Sequence, residues 1–483
     1  MKRNYKRDII KTASLSRLLV ILLQYVFNHM IPDHNAGVFL YPKENGTELS
    51  MDKAVNHIFG GFLRWDAHYF MHIAKYGYTY ENTVAFFPLF PLLGNLLAKC
   101  LFFLEFLSTD SLLLLSFIIL NYFVFIYSAL MLFNLTNKFF SETFSYYSVI
   151  LFCWNPASIF FTAPYTECIF SFLTFKSMLN CILLYEKYHK FRVKIRYIDI
   201  FYLFPIALST LTRSNGLVNV GFFLYVIACI FLKNFLNIKG NFFLSIIKKI
   251  SLILAFTIIT FFGLIFCLFL FDLFQIYCYK LFCQNFSIYL PLEVEMYAKQ
   301  NSFVLLGTFS KHNQSWCNSK LPLSYSYVQK HYWNVGFLNY YEFKQIPNFL
   351  LAAPILMIFI INCKKYMLIN CPKNIIQIFN FDIHQPRSNM IFETPQIFVF
   401  VLHGLILSIF CIFFIHIQVS TRLLCSASPL LYWFSVHYLM DGEKFCDINN
   451  IKRFSVKKKI ILLYYFSYYV VGIALFCNFL PWT

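Results

Sequence analysis

Acidic side chains are scarce in this sequence: 22 Asp and Glu stand against 40 Lys and Arg in 483 residues, and charged residues make up only 13%. A soluble domain carries about 25%, so most of this chain has no solvated, charged surface. The common nucleotide and nucleophile signatures are missing too. No G-x-x-x-x-G-K-[ST] loop, G-x-G-x-x-G fingerprint, H-E-x-x-H pair or G-x-S-x-G elbow occurs. ATP-driven transport, dinucleotide chemistry, zinc proteolysis and elbow-type hydrolysis therefore lack sequence support. The absence of a D-x-D pair disfavours a transferase that grips a nucleotide-sugar diphosphate through a metal. Among 15 cysteines there is no C-x-x-C and no zinc-like Cys/His spacing, so most read as small packed hydrophobes. Cys278, Cys283 and Cys317 share one polar loop, where a disulfide is possible if that loop is lumenal. No internal repeat, low-complexity tail or separate soluble domain is seen.

What the chain has is apolar length. It is 59% hydrophobic, with 62 Phe and 33 Tyr, and its mean hydropathy is +0.61. Ser111–Asn137, Ser251–Phe271 and Ile460–Thr483 hold no Asp, Glu, Lys or Arg, and each matches the roughly 20 apolar residues of a spanning helix. The expected fold is an all-α polytopic membrane protein, one transmembrane domain over 1–483. The net charge of +18 is gathered in short loops, at Lys2–Arg7, Lys187–Arg196, Lys233–Lys249, Lys364–Lys365 and Lys452–Lys459. That spacing fits cytosolic loops under the positive-inside rule rather than a nucleic-acid face.

With a cytosolic N-terminus, Ser16–Met30 reads as an uncleaved signal anchor. It delivers a first lumenal loop, 31–84, and a second large lumenal loop follows at 272–345. Ala85–Phe106, with Pro88 and Pro91, is read as lying along the interface. The remaining spans fall at Ser111–Phe133, Phe144–Cys153, Glu167–Tyr185, Asp199–Leu211, Leu217–Leu232, Ser251–Phe271, Ile346–Ile361, Gln396–Ile415, Leu423–Leu439 and Ile460–Leu480. The total is about eleven, with a range of about 9–12. Sequons at Asn45, Asn285 and Asn313 fall in lumenal loops and one at Asn134 in a cytosolic loop.

A charge at a bilayer boundary costs a few kcal/mol and usually marks a pathway or a site. Five stretches carry such charges: Arg64-Trp65-Asp66 with His68 and His72; Asn155–Glu167; Arg213-Ser214-Asn215-Gly216; Tyr332–Phe349 with Asn334; and His416–Arg422. Asp66 is either a structural partner of Arg64 or a helix cap, or else a general base. Glu167 is either a helix-start carboxylate favoured by the dipole or part of a site. Arg213 and Arg422 either snorkel or, at breaks between apolar helices, hold a phosphate bidentately. His68 and His72 share one helix face at i, i+4, but no third metal ligand is evident. Asn334 either satisfies loop backbone or contributes to the site. Together these residues suit group transfer from a lipid phosphate, with Asp66 as base and Arg64, Trp65, His68, His72, Glu167, Arg213, Asn215, Asn334 and Arg422 as candidate substrate or phosphate contacts.

At these positions the chain resembles the phosphatidylinositol-glycan class V family, the second mannosyltransferases of glycosylphosphatidylinositol (GPI) assembly. The likeness is carried by "RWDAHYFMHIAKYGYTYENTVAFFPLFPLL" (Arg64–Leu93), "WNPASIFFTAPYTECIFSFLTF" (Trp154–Phe175), "TRSNGLVNVGF" (Thr212–Phe222), "YWNVGFLNYYEFKQIPNFLLAAP" (Tyr332–Pro354) and "HIQVSTRLLCSASPLLYW" (His416–Trp433). It implies a multi-pass glycosyltransferase of the GT-C class in the endoplasmic reticulum, with a lumenal active site. It further implies dolichyl phosphate mannose as donor and a mannosyl-glucosaminyl-phosphatidylinositol acceptor, joined through a single inverting step that forms an α-1,6 linkage. Asp66 matches the first-loop acid commonly assigned as base in that class. No cofactor is expected, and the need for a divalent ion or an accessory membrane subunit is left open. The rival from another class is a transporter or flippase for an anionic lipid, which would show inverted repeats and charges near the bilayer centre.

Overall fold

The computed structural model describes residues 4–43, 49–188, 196–238, 241–308, 315–371, 379, 390–441, 444–446 and 454–482. The sequons at Asn45 and Asn313 lie outside these residues, as does most of the basic stretch Lys187–Arg196. Apart from a two-residue antiparallel pair, Met440–Asp441 with Lys444–Phe445, the named elements are helices.

Among the described residues, eight helices are long and apolar enough to cross a membrane: Tyr5–Met30, Thr109–Thr136, Glu167–Tyr188, Ser214–Leu236, Phe242–Phe282, Phe343–Asn370, Pro395–Phe413 and Val456–Cys477. The other three expected spans are built from shorter pieces. Glu142–Cys153 has 12 residues. The 199–211 region is a 3-10 turn, Tyr197–Leu203, running into Phe204–Thr210. The 423–439 region breaks at Ser428-Pro429 into Ser420–Ala427 and Leu430–Leu439. Within Ala85–Phe106 only Leu89–Cys100 is helical, 12 residues, and at about 1.5 Å per residue that is well short of a 30 Å hydrocarbon core.

Local chemistry sets the ends of these helices. Ser108 accepts from the Ser111 amide, Ser141 from Phe144 and Ser455 from Lys458, each satisfying a first-turn donor. Thr109–Thr136 forms the centre, packed by Glu167–Tyr188, Glu142–Cys153, Leu89–Cys100 and Tyr5–Met30. Close approach there depends on small residues: a Cβ on Gly94 would overlap the Phe117 ring. The most apolar window of Glu167–Tyr188 is 83% buried and that of Phe242–Phe282 only 17%, which separates an interior span from a peripheral one. Thr136 of the Asn134 sequon is buried inside this core and accepts from Trp433 Nε1 at 2.8 Å.

Arg17 lies in the first span and is fully buried. It donates to the carbonyls of Ser158 (2.8 Å) and Cys153 (3.1 Å) and to Thr162 Oγ1 (3.2 Å), with Phe125 3.9 Å from its guanidinium. Asn121 donates to the carbonyls of Ala163 (2.6 Å) and Tyr165 (3.2 Å). The irregular 154–166 crossing, where Pro156 stops a helix, is thus fastened by side chains from two spans, and these fix where Tyr165 points. At one end of the bundle the two large loops meet: Glu81 N–H bonds the Val304 carbonyl (3.0 Å) and Leu306 N–H the Thr79 carbonyl (3.2 Å). A disulfide, Cys283–Cys317, ties the second loop to the end of Phe242–Phe282, while Cys278 is free and buried.

Candidate active site

A cavity of about 560 Å³ opens where five chain breaks converge. Its wall includes Trp65, Asp66 and Tyr69 around the start of Ala67–Tyr76, then Tyr165 and Thr166 before Glu167–Tyr188, and Arg213 to Asn215 at the start of the 3-10 turn Ser214–Asn219. Trp333 at the end of Ser324–Trp333 and His416, Gln418 and Arg422 around the start of Ser420–Ala427 complete it. Polar side chains gather at helix ends because only there do apolar spans expose unpaired backbone. In the Arg213 break, Gly216 lets the chain turn back on the preceding helix, since a Cβ there would meet the Ser209 carbonyl.

Asp66 occupies the N-cap position of its helix but makes no side-chain cap bond. Its carboxylate instead accepts from Arg422 Nη1 at 2.8 Å. Arg64, which the sequence offers either as a structural partner of Asp66 or as a phosphate contact, turns the other way. It donates to Asp33 (3.0 Å), Asn28 (2.8 Å) and the Gly60 and Cys477 carbonyls (2.8 Å each), and it does not line the cavity. The two side chains part at Trp65, whose φ of 53° is left-handed, a conformation costly for a bulky residue. The Tyr165 hydroxyl spans this turn, accepting from the Asp66 amide (3.0 Å) and donating to the Arg64 carbonyl (3.3 Å). Burial, with the Asp66 charge adding to it, pushes this phenol well above its ordinary range.

Behind the wall Glu167 is fully buried, with 0% side-chain exposure against 30% for Asp66, so only Asp66 of the two can meet a substrate. Glu167 accepts from Arg213 Nη1 and stands 3.9 Å from Arg422 Nη1. The charges alternate as Asp66, Arg422, Glu167, Arg213. Both arginines reach the cavity. Arg422 Nε and Asn215 Nδ2 are buried donors with no hydrogen-bond partner among the described residues, and such donors favour an anionic or oxygen-rich ligand.

Other expected contacts lie elsewhere. His72 shares a hydrogen bond with Thr79 Oγ1 (2.7 Å) and stacks on Tyr80. His68 packs between Tyr41 and Phe479. Burial, helped by the charges of Arg64 and Lys43, pushes His68 down to about 3, and burial alone does the same to His72. Among the described residues no three His, Cys, Asp or Glu stand together as metal ligands. Asn334 is a left-handed, exposed helix end accepting from Asn339 (3.3 Å), and it is the adjacent Trp333 that faces the cavity. Tyr165, Trp333 and Gln418 were not singled out by sequence reasoning, although all three sit inside the motif stretches. Their signal was position beside a helix break.

A helical bundle with eight membrane-length spans among the described residues, around a charged, aromatic-walled cavity, defines an α-helical polytopic membrane protein. A family model described as Mannosyltransferase (PIG-V) matches residues 6–483, and this chain belongs to that family of glycosyltransferases. It is 35% identical over 98% of its length to a GPI mannosyltransferase 2 of Drosophila pseudoobscura pseudoobscura, covering 99% of that protein. It is 33% identical over 99% of its length to the GPI alpha-1,6-mannosyltransferase 2 of Homo sapiens, and 32% over 99% to that of Cricetulus griseus, covering 99% of each. No solved structure matches the chain. Membership of a mannosyltransferase family does not favour the transporter or flippase reading.

Proposed function

We propose that this protein adds an α-1,6-linked mannose to the growing GPI precursor, taking the sugar from dolichyl phosphate mannose on the lumenal face of the endoplasmic reticulum. Asp66 and Arg422 carry the reading: a solvent-reachable carboxylate and an arginine with a spare donor, 2.8 Å apart on one cavity wall. Asp66 takes the proton of the acceptor hydroxyl as that oxygen bonds the anomeric carbon. The bond from that carbon to the phosphate breaks on the opposite face, and its electron pair leaves with dolichyl phosphate. Arg422 and Arg213 offset the charge left on the phosphate, while Glu167 holds both guanidiniums in place. A single displacement inverts the anomeric carbon and needs no covalent enzyme intermediate. No step is assigned to a cofactor or metal ion. The lumenal assignment is supported by the disulfide, which belongs to an oxidising compartment, in the loop that pairs with the Asp66-bearing loop.

Cells lacking the second GPI mannosyltransferase test this directly. Wild type should restore surface GPI-anchored proteins, and Asp66→Asn, expressed to the same level, should not, with in vitro transfer lowered by about 10²–10⁴. Failure of the wild type would overturn the function, and full rescue by Asp66→Asn would remove Asp66 from the chemistry.

A further inference from the structure

Glu81 is an acid the mechanism above does not use. It is 1% exposed and does not line the cavity, yet both its oxygens are engaged by the other large loop: Trp316 Nε1 donates to Oε1 at 2.9 Å and the Tyr332 hydroxyl to Oε2 at 2.9 Å. Trp316 adjoins Cys317 of the disulfide, and Tyr332 adjoins Trp333. The helix Ser324–Trp333 is also fastened at its start, where Ser324 donates to Gln275 (2.8 Å), and at its end, where the Trp333 carbonyl accepts from His416 (2.8 Å). Three ties thus fix a ten-residue helix, and the ring they position faces the cavity. That ring stands 5.9 Å from Tyr69 and 6.0 Å from Phe86, both edge-on, while Tyr69 and Phe86 stack at 4.4 Å. Tyr69 is one helical turn from Asp66, on the same helix face.

We infer that the Trp333 ring forms the wall against which the transferred hexose ring lies, edged by Tyr69, whose own two faces are stacked on Phe39 (4.2 Å) and Phe86 (4.4 Å), and that Glu81 is the positioning residue that holds Trp333 in that wall. This rests on the proposed transfer of a sugar. One face of a hexopyranose presents C–H bonds, and an aromatic face covers it while the ring edges remain free for polar groups. The base and the phosphate-facing arginines then lie beside the sugar's reacting carbon, and the aromatic wall fixes its orientation. Glu81 acts by geometry, as an acceptor for two donors in two segments; its charge takes no part in the reaction.

The test measures donor KM and kcat with dolichyl phosphate mannose and a synthetic acceptor in membranes carrying the full chain. Trp333→Ala should raise donor KM about tenfold, equivalent to about 1.4 kcal/mol of lost binding, with kcat little changed. Glu81→Ala should do the same, and the double variant should be no worse than Trp333→Ala, because both changes remove one interaction. Glu81→Gln should stay near wild type: its amide oxygen accepts from Trp316 and its NH₂ donates to the Tyr332 oxygen. Should Glu81→Ala fail to fold, Tyr332→Phe removes one of the two bonds alone and should raise donor KM in the same direction. The inference is overturned if Glu81→Gln falls as far as Asp66→Asn, if the two alanine effects multiply, or if Trp333→Ala leaves donor KM unchanged. Inactive wild type would instead sink the transferase reading. The clamp is then read by limited proteolysis of the 272–345 loop, which Glu81→Ala should accelerate and Glu81→Gln should not; equal cleavage of both would refute it.

Discussion

Around Arg17 every partner is neutral: carbonyls of Cys153 and Ser158, the hydroxyls of Thr162, Ser158 and Ser16, and the Phe125 ring. Around Arg422 the partners are the carboxylates of Asp66 and Glu167, and a cavity lies on the open side. Both guanidiniums are withdrawn from water, but they do different work. Arg17 ties down backbone that a helix break left unpaired, in a region where no water can substitute. Arg422 lies between two acids, Asp66 and Glu167, and it keeps a donor unspent. Satisfied burial makes structure, whereas incompletely satisfied burial beside a cavity makes a site.

Substitution at these two positions should separate the roles most widely. Arg17→Met strips donors from two buried carbonyls and from the hydroxyls of Thr162, Ser158 and Ser16, at about 1–3 kcal/mol for each group left unpaired. Several kcal/mol is enough to unfold a marginally stable protein, so the yield of monodisperse protein after detergent extraction should collapse. Arg422→Lys keeps the charge but loses the planar fork; its yield should match wild type while transfer falls about a hundredfold. If Arg422→Lys lost as much folded protein as Arg17→Met, the distinction between the two regions would be broken.

Tyr165 joins the regions, because Asn121 holds its backbone beside the crossing that Arg17 clamps and its hydroxyl holds the Trp65 turn that aims Asp66. Tyr165→Phe keeps the ring and removes only the bridge. Yield should be unchanged and kcat reduced about tenfold, equivalent to about 1.4 kcal/mol in the barrier. Wild-type kcat would show that packing alone sets the turn.

The sequence displayed much of this. Apolar run lengths announced the spans, and the charges that interrupt them announced Asp66, Arg213 and Arg422, because a charge at a span boundary is expensive enough to need a reason. Pairing was not legible. Arg64 is two residues from Asp66 but bonds Asp33, whereas Arg422 lies 356 residues away and reaches it. Which of two arginines meets a carboxylate depends on one left-handed residue and on the packing of distant helices, neither of which a linear pattern encodes. Arg17 was hidden for a different reason: a basic residue early in a first span looks like part of a cytosolic basic end. Glu81 sat in plain view in "YTYEN", but its two donors lie more than 200 residues on.

The same division runs through a single short helix. Ala67–Tyr76 presents Tyr69 to the cavity and His68 and His72 to the packed interior, so its two faces repeat the comparison of site and scaffold over ten residues. Both histidines have folded-state values of about 3 against an ordinary 6.5. Their depression means that the unfolded chain binds more protons than the folded one between these values, so stability rises with pH there. The contribution is fully present above about pH 6.5 and is lost as pH falls toward 3. At about pH 5.5 each histidine should cost about 1.4 kcal/mol relative to neutral pH. Thermal unfolding of detergent-purified protein should therefore shift downward between pH 7.5 and 5.5, and replacing both by Gln should flatten that part of the slope. Because neither imidazole reaches the cavity, the same double variant should leave the pH profile of kcat unmoved. A shifted kcat profile would place His68 or His72 on the reacting face and move the boundary between the helix's two faces.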